Sequence, residues 1–479
     1  MELLNNILSV ISDFVWGGEN ILLSIIPILL LTGLILTVRT VFIQIRGFVH
    51  GVGITSGKYD DPAHKGQLTH FQALSAALSA TIGIGNIAGV AIALYYGGPG
   101  AIFWMWVSAF FGMAIKYTEC TLAIRYRKVE PDGNIRGGPM YFIELGMNKY
   151  FRPLAYMFAI CTAIAAFGAG NMVQSNTLAH SLINAFRIAP EDQALWRWII
   201  GFIISGSVGV VIIGGIKRIG RVASFLVPLM TVVYVCSALI ILLIEVDQII
   251  PAFQLIFHHA FHPTAVVGGS AAGVTIWMTI SWGLRRGLFS NEAGQGSAAM
   301  AHSTAKVEEP VREGLVAMLG PFIDTIVICS MTALVIITTG VWDSGINGAP
   351  LTMAAFDSAL PIYGRWMVVG GILLFAYSTI LSWSYYGEKG IEYIFGSSAK
   401  FPYKCVFIIF TLLGARLDLV AVWSYADTAN GLMAIPNLVS LIALSGVIVA
   451  LTKKYMDEKA LGMHQPFDKN VLGPIPPQR

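Results

Sequence analysis

The chain has 479 residues, of which 56% are hydrophobic and 12% charged, and its mean hydropathy is +0.70. A soluble domain carries about 25% charged residues, so these numbers exclude one and indicate an integral membrane protein. The formal net charge of +3 discriminates little, whereas the placement of the charges is informative.

The apolar runs are about 20 residues long, the length of a membrane-spanning helix, whereas barrel strands would appear as short alternating segments. Eleven spans are read in chain order, at 20–38, 70–95, 101–124, 153–180, 196–214, 222–244, 264–284, 314–339, 366–394, 403–422 and 431–451. The basic residues of the connections gather on one set of alternate loops, and the other set holds only Arg187 and Arg365. Lys and Arg mark the cytoplasmic side. The N-terminus is therefore expected outside and the C-terminus inside, as an odd number of spans requires. No basic region precedes the first run, which reads as a retained span rather than a signal peptide. Cys120, Cys161, Cys236, Cys329 and Cys405 lie in or beside apolar runs and read as small buried hydrophobes.

Residues 1–69 hold the first span and a basic connection, 39–69. The other ten spans divide into 70–244 and 245–451, five to each half. An odd number of spans per half inserts the halves in opposite orientation, as in an inverted repeat. Residues 139–148, 247–260 and 350–358 read as short interfacial helices, the last started by Pro350. The tail, 452–479, is polar from Lys453 and reads as disordered.

Two apolar runs carry helix-weakening sequences. One is Ser79-Ala80-Thr81-Ile82-Gly83-Ile84-Gly85-Asn86-Ile87-Ala88-Gly89; the other is Thr275-Ile276-Trp277-Met278-Thr279-Ile280-Ser281-Trp282-Gly283. Each glycine costs a helix about 1 kcal/mol relative to alanine. Broken backbone at membrane depth persists only in a protein interior or along a cavity, and paired breaks in two halves point to a transporter binding site. Unwinding near Thr81, Gly83, Gly85 and Asn86 would free carbonyls suited to a hard cation. It would also expose a half-helix N-terminus suited to a carboxylate. The alternative is a glycine face packed on a neighbouring helix. Thr279 and Ser281 offer acceptors for an ammonium group, while Trp277 and Trp282 are either pocket walls or packing residues.

In the ninth span, Ser378, Thr379 and Ser382 stand within one turn. Their hydroxyls either complete a cation site or bond back to their own helix. Gln174 either touches a ligand or braces a broken helix. Lys116 with Glu119, and Arg416 with Asp418, read as structural pairs, and Arg286 with Glu292 as one candidate gate pair. Glu119 and Asp324 are the carboxylates that a proton-coupled carrier would use. The His258–His262 cluster lacks a carboxylate or cysteine set and reads as an interfacial helix. No phosphate-binding loop or catalytic constellation is evident, so no enzyme is expected.

The stretch Ser290-Asn291-Glu292-Ala293-Gly294-Gln295-Gly296-Ser297-Ala298, with Ala301-His302 and the first break, resembles the alanine/glycine:cation symporters of bacteria and archaea. The resemblance covers nearly the whole chain. It implies an all-α, leucine-transporter-like fold: inverted five-helix repeats preceded by one extra N-terminal helix, with the first and sixth repeat helices unwound. It also implies Na+-driven uptake of small neutral amino acids, chiefly alanine and glycine, across the cytoplasmic membrane. Carried over, the substrate carboxylate side maps to Thr81, Gly83, Gly85 and Asn86, and the ammonium side to Thr279 and Ser281. Gln174, Trp277 and Trp383 line and close the pocket. The Na+ ligands map to Ser79, Ile82, Ser378, Thr379 and Ser382. The expected partners are a small neutral amino acid and the lipid bilayer, not nucleic acid, with a monomer one option for the assembly. The alternatives are proton coupling, or an amino acid channel or sensor.

Overall fold

A computed structural model of the chain describes residues 11–12, 14–16, 24–61, 63–131, 133–262, 274–417 and 419–463. Helix α1 (Ile25–Arg39) starts at Ser24, whose hydroxyl accepts from the Ile26 amide. Helix α2 (His70–Thr81) starts in a capping box between Thr69 and Gln72. It stops at Ile82, and the chain resumes as α3 (Ala88–Gly97) after one tight turn over Ile84–Asn86. Helix α4 (Gly100–Arg125) leads to a small hairpin of β1 (Lys128–Val129) and β2 (Ile135–Arg136). Then come α5 (Pro139–Gly146), α6 (Arg152–Phe167), α7 (Val173–Ala185), α8 (Gln193–Ile212), α9 (Gly215–Ile244) and α10 (Val246–Phe261).

The second half contains α11 (Ile276–Asn291) and α12 (Ser297–His302), separated by an irregular turn. Helix α13 (Pro310–Ala317) continues through a widened helical stretch, Phe322–Cys329, into α14 (Ser330–Thr338). Helices α15 (Ala349–Ala359), α16 (Tyr363–Phe395), α17 (Lys400–Gly414), α18 (Leu419–Ala443) and α19 (Ser445–Ala460) complete the chain. Among the described residues six helices are long and apolar enough to cross a membrane, and α18 with α19, bent by 59°, makes a seventh. The other apolar runs are present as shorter or interrupted pieces, which is why hydropathy alone counts more spans than unbroken helices. The short helices read at 139–148, 247–260 and 350–358 form as α5, α10 and α15.

Three expectations change. Residues 423–430 form no turn: α17 ends at Gly414, the described turn residues are 415–417, and Asp427, Thr428 and Asn430 lie inside α18. Those polar residues mimic a loop in the sequence, but Asp427 and Asn430 face cavities within the protein and the Thr428 hydroxyl bonds back to the Ser424 carbonyl of its own helix. The tail is helical as far as Ala460, and residues beyond 463 lie outside the described ones, as do 263–273 of the seventh span. Cys120 and Cys329 are buried, but Cys236 and Cys405 are exposed on outer helix faces.

Candidate functional site

Side chains hold the first break open. The Asn86 carboxamide oxygen accepts from the Gly83 amide at 2.8 Å, and the Gln174 oxygen accepts from the Ile84 amide at 3.1 Å. Gln174 in turn donates to the Ala169 carbonyl at 2.9 Å. These bonds replace those the backbone loses where the helix ends, a requirement in a dry interior. Gly83 is needed for close approach: a Cβ there would stand 2.6 Å from the Thr379 hydroxyl and 3.2 Å from the Gln174 oxygen. Gln174 is therefore a brace of the break, and it also lines the adjoining cavity.

On the α16 side of the same break, oxygens converge. The Ser79 hydroxyl donates to the Ser378 carbonyl at 2.8 Å, and the Thr379 hydroxyl stands 3.4 Å from the Ile82 carbonyl. The Ser382 hydroxyl is 2.9 Å from both the Ala76 carbonyl and the Ser79 hydroxyl. Ser378 also bonds back to Phe375 at 3.0 Å, the within-helix alternative weighed for it above. All five residues expected to hold Na+ (Ser79, Ile82, Ser378, Thr379 and Ser382) are brought together and buried. An all-oxygen set of hydroxyls and carbonyls has the donor chemistry that a hard monovalent cation takes.

The second break lies at 292–296, not at 275–283. Glu292 adopts φ 55°, and Gly294 and Gly296 adopt φ 90° and 76°, left-handed conformations that interrupt the helix. Residues 276–291 are instead continuous, and Gly283 serves packing: a Cβ there would lie 2.4 Å from the Ala101 carbonyl oxygen. Trp277, Thr279 and Ser281 lie in the continuous helix and not at this break. Trp277 is 56% exposed in the first turn of α11, and the Thr279 hydroxyl donates to the Gly97 carbonyl at 2.9 Å. Ser281 stands ten residues before the end of α11, roughly 15 Å along a helix. A glycine beside Trp and Ser was taken for a hinge where it is a contact surface.

Buried carboxylates organise the second break. Glu292 accepts from the Trp383 indole at 2.8 Å and from the Ser297 hydroxyl. Glu119 accepts from the Gly294 amide at 2.8 Å and from Asn437 at 2.7 Å, so the expected Lys116–Glu119 pair is not made. Asp324 ties the two breaks together: it accepts from Asn86, Ser290 and Thr325, each at 2.7 Å. Between the breaks lies a small, tightly closed cavity, about 10 Å³ of water-accessible space, lined by Thr81, Gly83, Gly85, Phe289, Glu292 and Trp383, among others. Asn430 also lines it, with a buried side-chain oxygen that takes no hydrogen bond among the described residues. Glu292 was weighed above only as a gate partner, and Phe289 and Asn430 were missed. The glycine-containing run 292–296 at the true break was the available signal for Glu292.

Two closures flank this cavity. On one side a vestibule of about 380 Å³ reaches Arg285, Arg286, Trp423 and Asp427. Both arginines bond Asp427, Arg285 at 2.7 Å, and Arg286 lies over the rings of Phe289 and Trp423, which stack at 5.1 Å. Arg286 thus pairs with Asp427 and not with Glu292. At the opposite ends of the interrupted helices, Glu313 of α13 receives His70 of α2 and, at 2.6 Å, His302 of α12. Backbone bonds from Gln67 to Thr304 and from Lys306 to Leu68, both 2.7 Å, lace the same ends. Arg416 sits 4.7 Å over Trp198, and its expected partner Asp418 lies outside the described residues. Among the described residues no group of three or more His, Cys, Asp or Glu side chains is placed to hold a metal ion, at the His258–His262 segment or elsewhere.

Two interrupted helices facing each other across an enclosed polar space, with a closure on either side, are the architecture of a membrane carrier. The same fold is present in the crystal structure of MhsT in complex with L-phenylalanine. That likeness has a TM-score of 0.54, spans 81% of this chain and 99% of that one, and has 14% sequence identity. A family model, described as the sodium:alanine symporter family, matches residues 1–469. The chain belongs to that family and is thus a multi-pass membrane protein of amino acid symport. It is similar to the sodium/alanine symporter AgcS of Methanococcus maripaludis, 45% identical over 456 residues, 94% of this chain and 97% of that protein. It is also similar to the putative sodium/proton-dependent alanine carrier protein YrbD of Bacillus subtilis, 36% identical over 483 residues, 96% of each.

Proposed function

We propose that this protein imports small neutral amino acids, alanine and glycine foremost, together with Na+ by alternating access. The observation that carries the reading is the convergence of Ser79, Ile82, Ser378, Thr379 and Ser382 on the edge of the first break, directly beside the central cavity. In this reading the cation replaces the hydrogen bonds these oxygens make to one another, and so rigidifies the segment that also forms the cavity. The N-terminal end of α3, at the turn through Gly85 and Asn86, meets the substrate carboxylate. Glu292 and Asn430 take over the ammonium side from Thr279 and Ser281. Phe289 and Trp383 restrict the side-chain space to something alanine-sized. Either ligand then tightens the other by the same factor.

The two five-helix halves, 70–244 and 245–451, form the inverted repeat of this reading, with α1 outside it. The basic loops put the Glu313 clasp on the cytoplasmic side and the vestibule on the outer side. Uptake then consists of parting the arginine pair from Asp427, reclosing it over the loaded cavity, and opening the histidine clasp. A second reading, proton coupling, is favoured by the full burial of Glu119 and Asp324 and would route the coupling through those carboxylates.

The deciding experiment is labelled alanine uptake into proteoliposomes under an inward Na+ gradient, an equal K+ gradient, or a pH gradient alone. Accumulation only with Na+ supports symport through the α2–α16 oxygens. Accumulation driven by the pH gradient alone transfers the coupling role to Glu119 or Asp324. Equilibration without accumulation would indicate a channel.

A further inference from the structure

On the clasp side of the central cavity lies a second, tight chamber, about 10 Å³ of water-accessible space, between α2, α4, α12 and the segment 317–320. Its walls are mostly apolar, including Leu74, Ala77, Leu78 and Ala317, and its one charged group is Lys116. Lys116 is 2% exposed, and its ammonium makes no hydrogen bond among the described residues. Glu119, Glu292 and Asp324 lie near enough to feel its charge, yet Glu292 and Asp324 are turned to the donors that hold the breaks, and of Glu119 one oxygen does the same while the other, though buried, makes no hydrogen bond to Lys116 or to any other described residue. An ammonium kept at membrane depth without a hydrogen-bond acceptor is costly, and such groups mark ligand pathways. Two lining residues place the chamber on a path: Thr81 also lines the central cavity, and His302 belongs to the Glu313 clasp.

We propose that the chamber is a release-side subsite in which Lys116 receives the α-carboxylate of the amino acid as it leaves the central cavity for the cytoplasm. The inference rests on the transport reading above and adds an intermediate station to it. The carboxylate supplies the acceptor that Lys116 lacks, and α2 is the wall that has to yield, since it carries both Thr81 and the clasp residue His70. A free anion such as chloride shares the carboxylate's chemistry, and the two are separable by experiment.

The test is a comparison of equilibrium alanine binding by purified protein with alanine uptake in proteoliposomes for Lys116→Met and Lys116→Arg. A subsite used only in release predicts binding within about two-fold of the unaltered protein. Uptake slowed about ten-fold in Lys116→Met is the size of one charge-assisted hydrogen bond, with most of the rate restored in Lys116→Arg. Ala317→Met, which fills the chamber while leaving the lysine, should show the same split if Lys116→Met fails to fold. Unchanged uptake in Lys116→Met overturns the inference, and so does a parallel loss of binding and uptake. Uptake that needs internal chloride, with that need abolished in Lys116→Met, also overturns it in favour of a resident anion. Absence of alanine binding by the unaltered protein removes the transport reading itself, and the subsite with it.

Discussion

In the proposed mechanism Thr379 is the residue at which cation and substrate would meet, since its hydroxyl stands 3.4 Å from the Ile82 carbonyl and the residue also lines the central cavity. Thr379→Ala should raise the Na+ concentration for half-maximal uptake by roughly ten-fold, about the value of one lost ligand oxygen. The ranking of amino acid substrates should stay in place, and Na+ titrations of uptake for alanine, glycine and serine check both parts. Asn86 has a different character. One carboxamide satisfies the Gly83 amide and the Asp324 carboxylate, so Asn86→Ala leaves two buried polar groups without their partner. That loss costs about 1–3 kcal/mol per group. The variant should melt at a lower temperature in detergent as well as lose uptake, whereas Thr379→Ala should change melting little when Na+ is absent. The motif containing Asn86 was visible in the sequence. Its link to Asp324 was not, because 238 residues separate the two.

At the scale of elements, the two breaks are built by different means, and their glycines respond differently to substitution. Gly83 has an extended backbone that any residue adopts, so its constraint is contact with Thr379 and Gln174 on neighbouring helices. Gly83→Ala should abolish uptake by forcing α2 away from α16, and the loss should persist at saturating Na+. Gly294 is constrained by its own backbone, at φ 90°, where a side chain costs about 1–2 kcal/mol. Gly294→Ala should therefore lower the melting temperature and leave residual uptake, measurable in the same proteoliposomes. Reading the chain placed the first break correctly because Gly-x-Gly-Asn concentrates helix-weakening residues at one spot. It misplaced the second, because Gly283 lies among aromatic and hydroxyl residues that resemble a binding segment. A packing glycine and a hinge glycine look alike until the neighbouring helix is known, here α4 with its Ala101 carbonyl.

At the scale of the whole molecule, the central cavity lies between two unlike closures. The vestibule side is shut by charge and aromatic stacking around Asp427, and the opposite side by Glu313 gripping one histidine from each interrupted helix. Breaking the second closure alone should favour the cytoplasm-facing form. With Glu313→Gln, a cysteine placed at Ala298, in a background without the five native cysteines, should react faster with a thiol reagent applied from the cytoplasmic side. Equal reaction rates with and without the substitution would refute a gating role for the clasp.

Length, hydropathy and the distribution of Lys and Arg are properties of the chain taken locally, so the sequence by itself determined a polytopic helical membrane protein, most span positions, the first break and the symporter resemblance. The π-widened stretch at 322–329, the helical setting of Asp427 and Asn430, the true second break, and the partners of Glu119, Glu292 and Asp324 were decided only by tertiary packing. In each case a polar or glycine residue has several local uses of similar energy. The deciding contribution comes from a helix distant in sequence, whose backbone or carboxylate is the partner that a dry interior demands.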